Sequence, residues 1–346
     1  MLGCINANSS MAIKSGTSLR PTGILLAIGI LLAAMPTSAD AQLSLRLGHP
    51  GPANGMWGQL AASLARATAG RGVKIEQYPL IALGGERLGV ELVRRGQIDL
   101  AAVSGSYLAR DVPQFGILNL PLLARNISEA RAIVNAVGPR LQTFANSRDL
   151  HVLAYTWVVG TFVAQGGCVL SPNDIKGARV LDGPPLLQDL FRLAGASPVP
   201  IPGAEVFAAL QSGLSDKGLF SVEFILTARV HETTDCLTDP TAIAVMVLPI
   251  VLVASRQGWS RLDEAFKQTL MDEARKLEQQ SDQAMRQIVE NAVKTYSQKG
   301  KTAKPMDDHS LELWRKLAAP LYEVESSKIE GGRDLLGVAV SARSRS

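Results

Sequence analysis

"YPLIALGGERLGVELVRRGQIDLAAVS", residues 78–104, sets a glycine pair and an acidic residue in front of about two turns of helical pattern and closes on an apolar strand. Leu88 and Leu92 fall on one face of the helix expected over Glu86–Arg95. The run Ile98–Ser104 is almost wholly apolar, as for a strand of a parallel sheet buried on both faces. A helix that feeds at once into such a strand is half of a βαβ unit. Small and polar residues gather at the joints: Gly84-Gly85-Glu86 at the helix start, Ser104-Gly105-Ser106 at the strand end.

Working outward, the pattern repeats. Upstream lie a strand over Ser44–Pro50, a helix over Met56–Thr68 and a strand over Val73–Pro79. This β-α-β-α-β order predicts an α/β domain. A second set follows. Leu150–Val159 reads as a long strand, "DIKGARVLD" (174–182) contains another, and "LLQDLFRLAGA" (186–196) is a helix closed by Gly195. Glu205–Gly213 is a further helix closed by glycine. Ile243–Ser255 exceeds an ordinary strand of about five or six residues and holds Pro249, so it reads as a strand crossing between two domains. Apolar residues at helical spacing from Asp263 to about Tyr296 predict a helix about 50 Å long. The last helix is expected to break near Pro320, and the Gly- and Ser-rich tail, 329–346, to be loose.

Composition narrows the function. The chain has 346 residues, 47% hydrophobic and 19% charged, with net charge +4, so it is globular. No block of Lys and Arg with interleaved aromatics occurs, which argues against nucleic-acid binding. Lys14 and Arg20 precede the apolar run Gly23–Met35, and Ala39 and Ala41 form an A-x-A site. This predicts a signal peptide over 1–41 and export. The run is shorter than the roughly 20 residues of a membrane span. Cys4 falls inside the removed segment, leaving Cys168 and Cys236. A disulfide between them is the expectation for an exported chain, with two buried free thiols as the alternative. The loop it closes would be worth about 4 kcal/mol in the chain-entropy account.

The order of motifs resembles a known family. The run 78–104, "FGILNLPLLARNISEA" (115–130), "SPNDIKGARV", "GASPVPIPGAEVFAALQSGLSDKG" and "VLPIVLVASRQGWSRL" follow one another as in the substrate-binding proteins of tripartite ATP-independent periplasmic (TRAP) transporters, dicarboxylate-binding type. The resemblance spans Leu47 to Tyr322. It implies an α/β, two-domain periplasmic-binding-protein fold, with a ligand cleft between the domains, hinge strands and a long helix bridging both. Domain I would be 42–158 with about 249–290, and domain II about 159–248 with about 291–328. The implied function is capture of a small organic acid in the periplasm and delivery to TRAP membrane subunits, by a monomer without cofactor or catalytic activity.

Within that frame, Glu86, Ser104 and Ser106 would form one wall of the cleft, since small residues and a helix N-terminus let backbone N–H groups approach a ligand. His49, at a strand end, and Asn54, in the loop beyond it, are further candidates. The sequence departs from the family where the family holds a carboxylate. The arginine expected in the strand after D-L-K-G falls on Leu181, with Arg179 two residues earlier on the same strand face. Arg179 is the candidate replacement; a solvent-exposed strand arginine is the alternative. A second arginine, near Gly160, is absent, and the usual D-G-x-E-N amide is replaced by Phe220 or Ser221. Tyr155, Trp157, Phe162 and Phe220 offer ring surface. These departures predict a monocarboxylate with an apolar or aromatic body rather than a simple C4-dicarboxylate. Two rivals remain: a ligand-sensing or interaction module on the same fold, and a secreted enzyme. Against the enzyme, the chain has no G-x-S-x-G and no H-E-x-x-H, Glu86 interrupts "GGERLG" as a dinucleotide fingerprint, and His49, His151, His231 and His309 lack metal spacing.

Overall fold

The computed structural model describes residues 43–181 and 185–344; the expected signal peptide, with Cys4, and Asp182 lie outside the described residues. Ten strands form one mixed sheet: β1 (Leu43–His49), β2 (Val73–Pro79), β3 (Leu100–Ser104), β4 (Leu150–Ala164), β5 (Arg179–Leu181), β6 (Ser197–Val199), β7 (Lys217–Ser221), β8 (Cys236–Asp239), β9 (Met246–Ser255) and β10 (Thr302–Pro305). The main path runs β2-β1-β3-β9-β4-β7-β5-β6, with β8 joined to β4 and β10 to β8. β1, β2 and β3 are parallel, as the βαβ reading requires. β3 is parallel to β1 but antiparallel to β9, so its burial comes from a mixed sheet and not an all-parallel one.

β9 shows how the sheet accommodates Pro249. The strand lies centrally, between β3 and β4. Proline is tolerated because the β3–β9 pairing ends at Ser104 opposite Ile250. Pro249 falls one step past that end, where no β3 partner awaits its missing N–H, while on its other side it stays in register with Trp157 of β4.

The long helix runs Glu264–Gln298, within two residues of the expected bounds. Asp263 caps it, its carboxylate accepting the Phe266 N–H at 2.7 Å. Phe266, Leu270, Ala274, Leu277, Met285, Val289, Ala292 and Tyr296 form its buried stripe in the larger core cluster. A second cluster gathers around Phe162, Phe191 and Trp314. Cys168 and Cys236 are joined in a disulfide with Cα atoms 5.2 Å apart, fastening the segment after β4 to the start of β8.

Two expectations fail at the C-terminus. The helix Asp308–Ser327 continues through Pro320, which is exposed, because Leu311, Trp314 and Ala318 hold the opposite face in the core. The segment taken as a loose tail contains a helix, Gly332–Arg343, packed on the helix Ile127–Asn146. Leu335 and Ala339, four residues apart, supply its buried face, and Arg343 donates to the Leu123 carbonyl at 3.1 Å.

Candidate functional site

The glycine pair is a conformational necessity. Gly84 and Gly85 have φ of 98° and 91°, and the Gly85 N–H closes the preceding turn on the Leu80 carbonyl at 2.8 Å. This turn starts the helix Glu86–Arg94 beside the end of β3. There Glu86 Oε2 accepts the Ser104 N–H at 2.6 Å. Burial pushes the Glu86 carboxyl above its ordinary pKa, against the opposing pull of its bonds from Ser104. At Gly105 an added Cβ would stand 2.7 Å from Pro249 Cγ and 3.3 Å from Asn119 Oδ1, so only glycine lets the chain pass. Ser106 Oγ donates to that same Asn119 oxygen at 3.1 Å.

These residues face a cleft of about 640 Å³, within the usual size range for small-ligand pockets. Its polar lining is Glu86, Ser104, Ser106, Tyr107 and Arg110. Its apolar lining is Val158 of β4, Met246, Leu248 and Ile250 of β9, and Pro185. The register explains the apolar part. Met246, Leu248 and Ile250 alternate along β9 and so share a face; Val158 sits opposite Leu248, and Ser104 opposite Ile250. Met246 occupies the place near Gly160 where the family arginine is missing: a Cβ on Gly160 would lie 2.2 Å from Met246 Cε. A second, open groove of about 630 Å³ adjoins the cleft, sharing Tyr107 and Arg110 with it. It is otherwise lined by Arg87, Glu91, Arg94, Arg95, Asp111 and Asp149.

Of the sequence candidates, Glu86, Ser104 and Ser106 meet at the cleft. The others lie elsewhere. Trp157 is one residue from Val158 and so points to the opposite face, 2% exposed, with the Arg131 guanidinium 5.4 Å from its ring. Phe220 is buried against Phe224, ring centroids 5.5 Å apart, and Ser221 accepts the Phe224 N–H at 3.3 Å as a helix cap. Phe162 belongs to the second core cluster, and Tyr155 is buried, which pushes its hydroxyl pKa up. His49 is buried beside a small cavity of about 20 Å³ with Trp57 and Leu277; its Nδ1 lies 3.3 Å from the Pro50 carbonyl, and burial lowers its pKa. Asn54 is exposed, its carbonyl accepting from Gln59 at 2.9 Å. Arg179 is exposed at the start of β5, its Nη2 reaching the Gly213 carbonyl at 3.4 Å, while Leu181 is fully buried.

Sequence reasoning passed over Tyr107, Arg110 and the β9 stripe. The stripe was present as every second residue of Ile243–Ser255, but nothing in one sequence says which alternate set faces a cleft. Arg110 lies four residues beyond Ser106, on the turn after the short helix Gly105–Leu108. Among the described residues no helix is long and apolar enough to cross a membrane, and no group of three or more acidic, His or Cys side chains is placed to hold a metal ion.

With fold and cleft in place, comparison with known proteins bears out the resemblance. Residues 52–328 match the profile of the family described as bacterial extracellular solute-binding protein, family 7, and the chain belongs to that family. A solute-binding protein of Albidiferax ferrireducens is 24% identical over 90% of this chain and 96% of its own length. The 2,3-diketo-L-gulonate-binding periplasmic protein YiaO of Escherichia coli is 27% identical over 70% of this chain and 75% of its own. A TRAP periplasmic solute-binding protein from Rhodoferax ferrireducens, solved with malonate bound, superposes with a TM-score of 0.75 at 22% identity, covering 87% of this chain and 98% of that one. The two-domain α/β fold of these proteins is the fold of this chain.

Proposed function

We propose that this chain captures a small organic acid in the periplasm and hands it to TRAP-type membrane subunits. The cleft carries the reading: its lining joins Glu86, two serines and an arginine with an apolar stripe of Val158, Met246, Leu248 and Ile250. Such a site orients one polar head and shelters a hydrocarbon body. With domain I at 42–158 plus about 249–290, and domain II at about 159–248 plus about 291–328, the cleft draws on both, and ligand would close it by hinge motion about β4 and β9. The protein works as a monomer, without cofactor or catalytic step. Similar chains bind 2,3-diketo-L-gulonate and malonate, so both sugar acids and short diacids are fair competitors.

A thermal-shift screen tests this. The purified chain is unfolded and refolded to strip carried-over ligand, then scanned with 4-methylpentanoate, phenylacetate, gluconate, malonate and succinate. A ligand at a hundred times its dissociation constant adds about 2.7 kcal/mol and raises the midpoint. A rise with the first two acids, and little with succinate, is expected. Midpoints flat across all five acids, with a rise on neutral sugars or amides, would end the organic-acid reading.

A further inference from the structure

We infer that Arg110 is the residue that holds the ligand's carboxylate, taking the part that the sequence assigns to Arg179; this rests on the organic-acid reading above. The argument begins with charge. Arg110 is the one cation among the described residues that line the cleft. A carboxylate entering a partly apolar cleft loses water and needs a charged donor, and a guanidinium supplies two parallel N–H groups to it.

The second observation is that this guanidinium is unspent. Around the adjoining groove, Arg94 is paired with Asp111, Arg95 with Glu91 at 2.5 Å, and Arg256 binds Asp149 at 2.6 Å. Arg110 makes no hydrogen bond or ion pair through its side chain among the described residues. Arg87 is likewise without one, but it lines only the outer groove. Arg179 lies outside the cleft, against the Gly213 carbonyl.

The third observation sets the number of carboxylates. Along β9 the lining is Met246, Leu248 and Ile250, which offers a second carboxylate no charged partner. The one carboxyl in the lining is Glu86, which would repel an anion when charged and donate a hydrogen bond when protonated. One cation, one carboxyl and an apolar stripe select a monocarboxylate that lays its hydrocarbon body along β9.

Isothermal titration of the refolded chain separates the possibilities, using whichever of 4-methylpentanoate, phenylacetate or gluconate binds tightest. Arg110→Ala should weaken it at least tenfold with the unfolding midpoint of the free protein unchanged. Arg110→Lys should recover part of the loss, since it restores the charge without the two-pronged geometry. Arg179→Ala should bind as the parent does. Tight binding retained in Arg110→Ala, or lost in Arg179→Ala, would overturn the assignment to Arg110 and leave the organic-acid reading standing. Failure of the parent chain to bind any acid, with neutral ligands bound instead, would overturn both.

Discussion

Arg131 and Arg110 make opposite use of the same side chain. Arg131 is largely buried, with its guanidinium at 2.9 Å from Glu278 and 2.8 Å from Asp282 of the long helix, donating to the Tyr155 carbonyl at 3.0 Å and lying over Trp157. Glu278 in turn accepts the Tyr155 N–H at 2.6 Å. Every prong is committed, and the network ties the helix Ile127–Asn146, the long helix and β4 together. Arg110, at the cleft, is exposed and commits none among the described residues. Only an uncommitted charge is available to a ligand without first breaking the fold. Position along β4 makes the same division: Trp157 turns toward Arg131 and the core, and its neighbour Val158 toward the cleft.

The comparison breaks most readily at Arg131. Arg131→Ala leaves Glu278 and Asp282 partly buried without their cation, and should cost about 3 kcal/mol of stability, read as a shift of the urea midpoint. An unchanged midpoint would show that the network contributes nothing to the fold. Next in size is the apolar wall. Leu248→Asp sets a second carboxylate in the cleft lining that holds Arg110, and should weaken monocarboxylate binding at least tenfold in titration while the free protein stays folded by circular dichroism.

A smaller effect lies in pH. Burial raises the folded pKa of Glu86 above the ordinary glutamate value of 4.5, so the folded state holds its proton more tightly than the unfolded chain. Its contribution is therefore fully present below that ordinary value and is lost as pH rises through the raised one. Glu86→Gln keeps an oxygen for the Ser104 N–H and removes the titration, so the midpoint should fall less steeply with pH above 4.5 than in the parent. An identical slope would mean that Glu86 is solvated rather than buried. The smallest effect is on the other arginine: Arg110→Ala should change stability by less than about 0.5 kcal/mol, the scale of a surface substitution with no fixed partner.

Much of the architecture was legible because it repeats along the chain. Three parallel strands with their intervening helices, the long helix and the disulfide follow from apolar periodicity and from the two cysteines that remain once the expected leader is set aside. Glu86 was legible because it follows a turn that only glycine can make, and Ser104 and Ser106 because they flank a glycine at a strand end. What failed depended on contacts between distant segments. Why Pro249 is tolerated was not legible, since it depends on where the β3 pairing ends, opposite Ile250, leaving no β3 partner for its missing N–H. The C-terminal helix looked loose because its two apolar anchors, Leu335 and Ala339, gain meaning only against the helix Ile127–Asn146. Arg110 carries no local motif; what distinguishes it from Arg94 and Arg95 is that it forms no ion pair among the described residues, which is a property of the folded chain.

The central claim is that the cleft recognises a carboxylate and not merely a shape. Titration of the refolded chain with 4-methylpentanoate and phenylacetate, each beside its primary amide, tests it most directly. The account predicts that at least one acid binds and that its amide, equal in size and neutral, binds at least tenfold more weakly. An amide that binds as well as its acid would contradict the account, whatever the affinity.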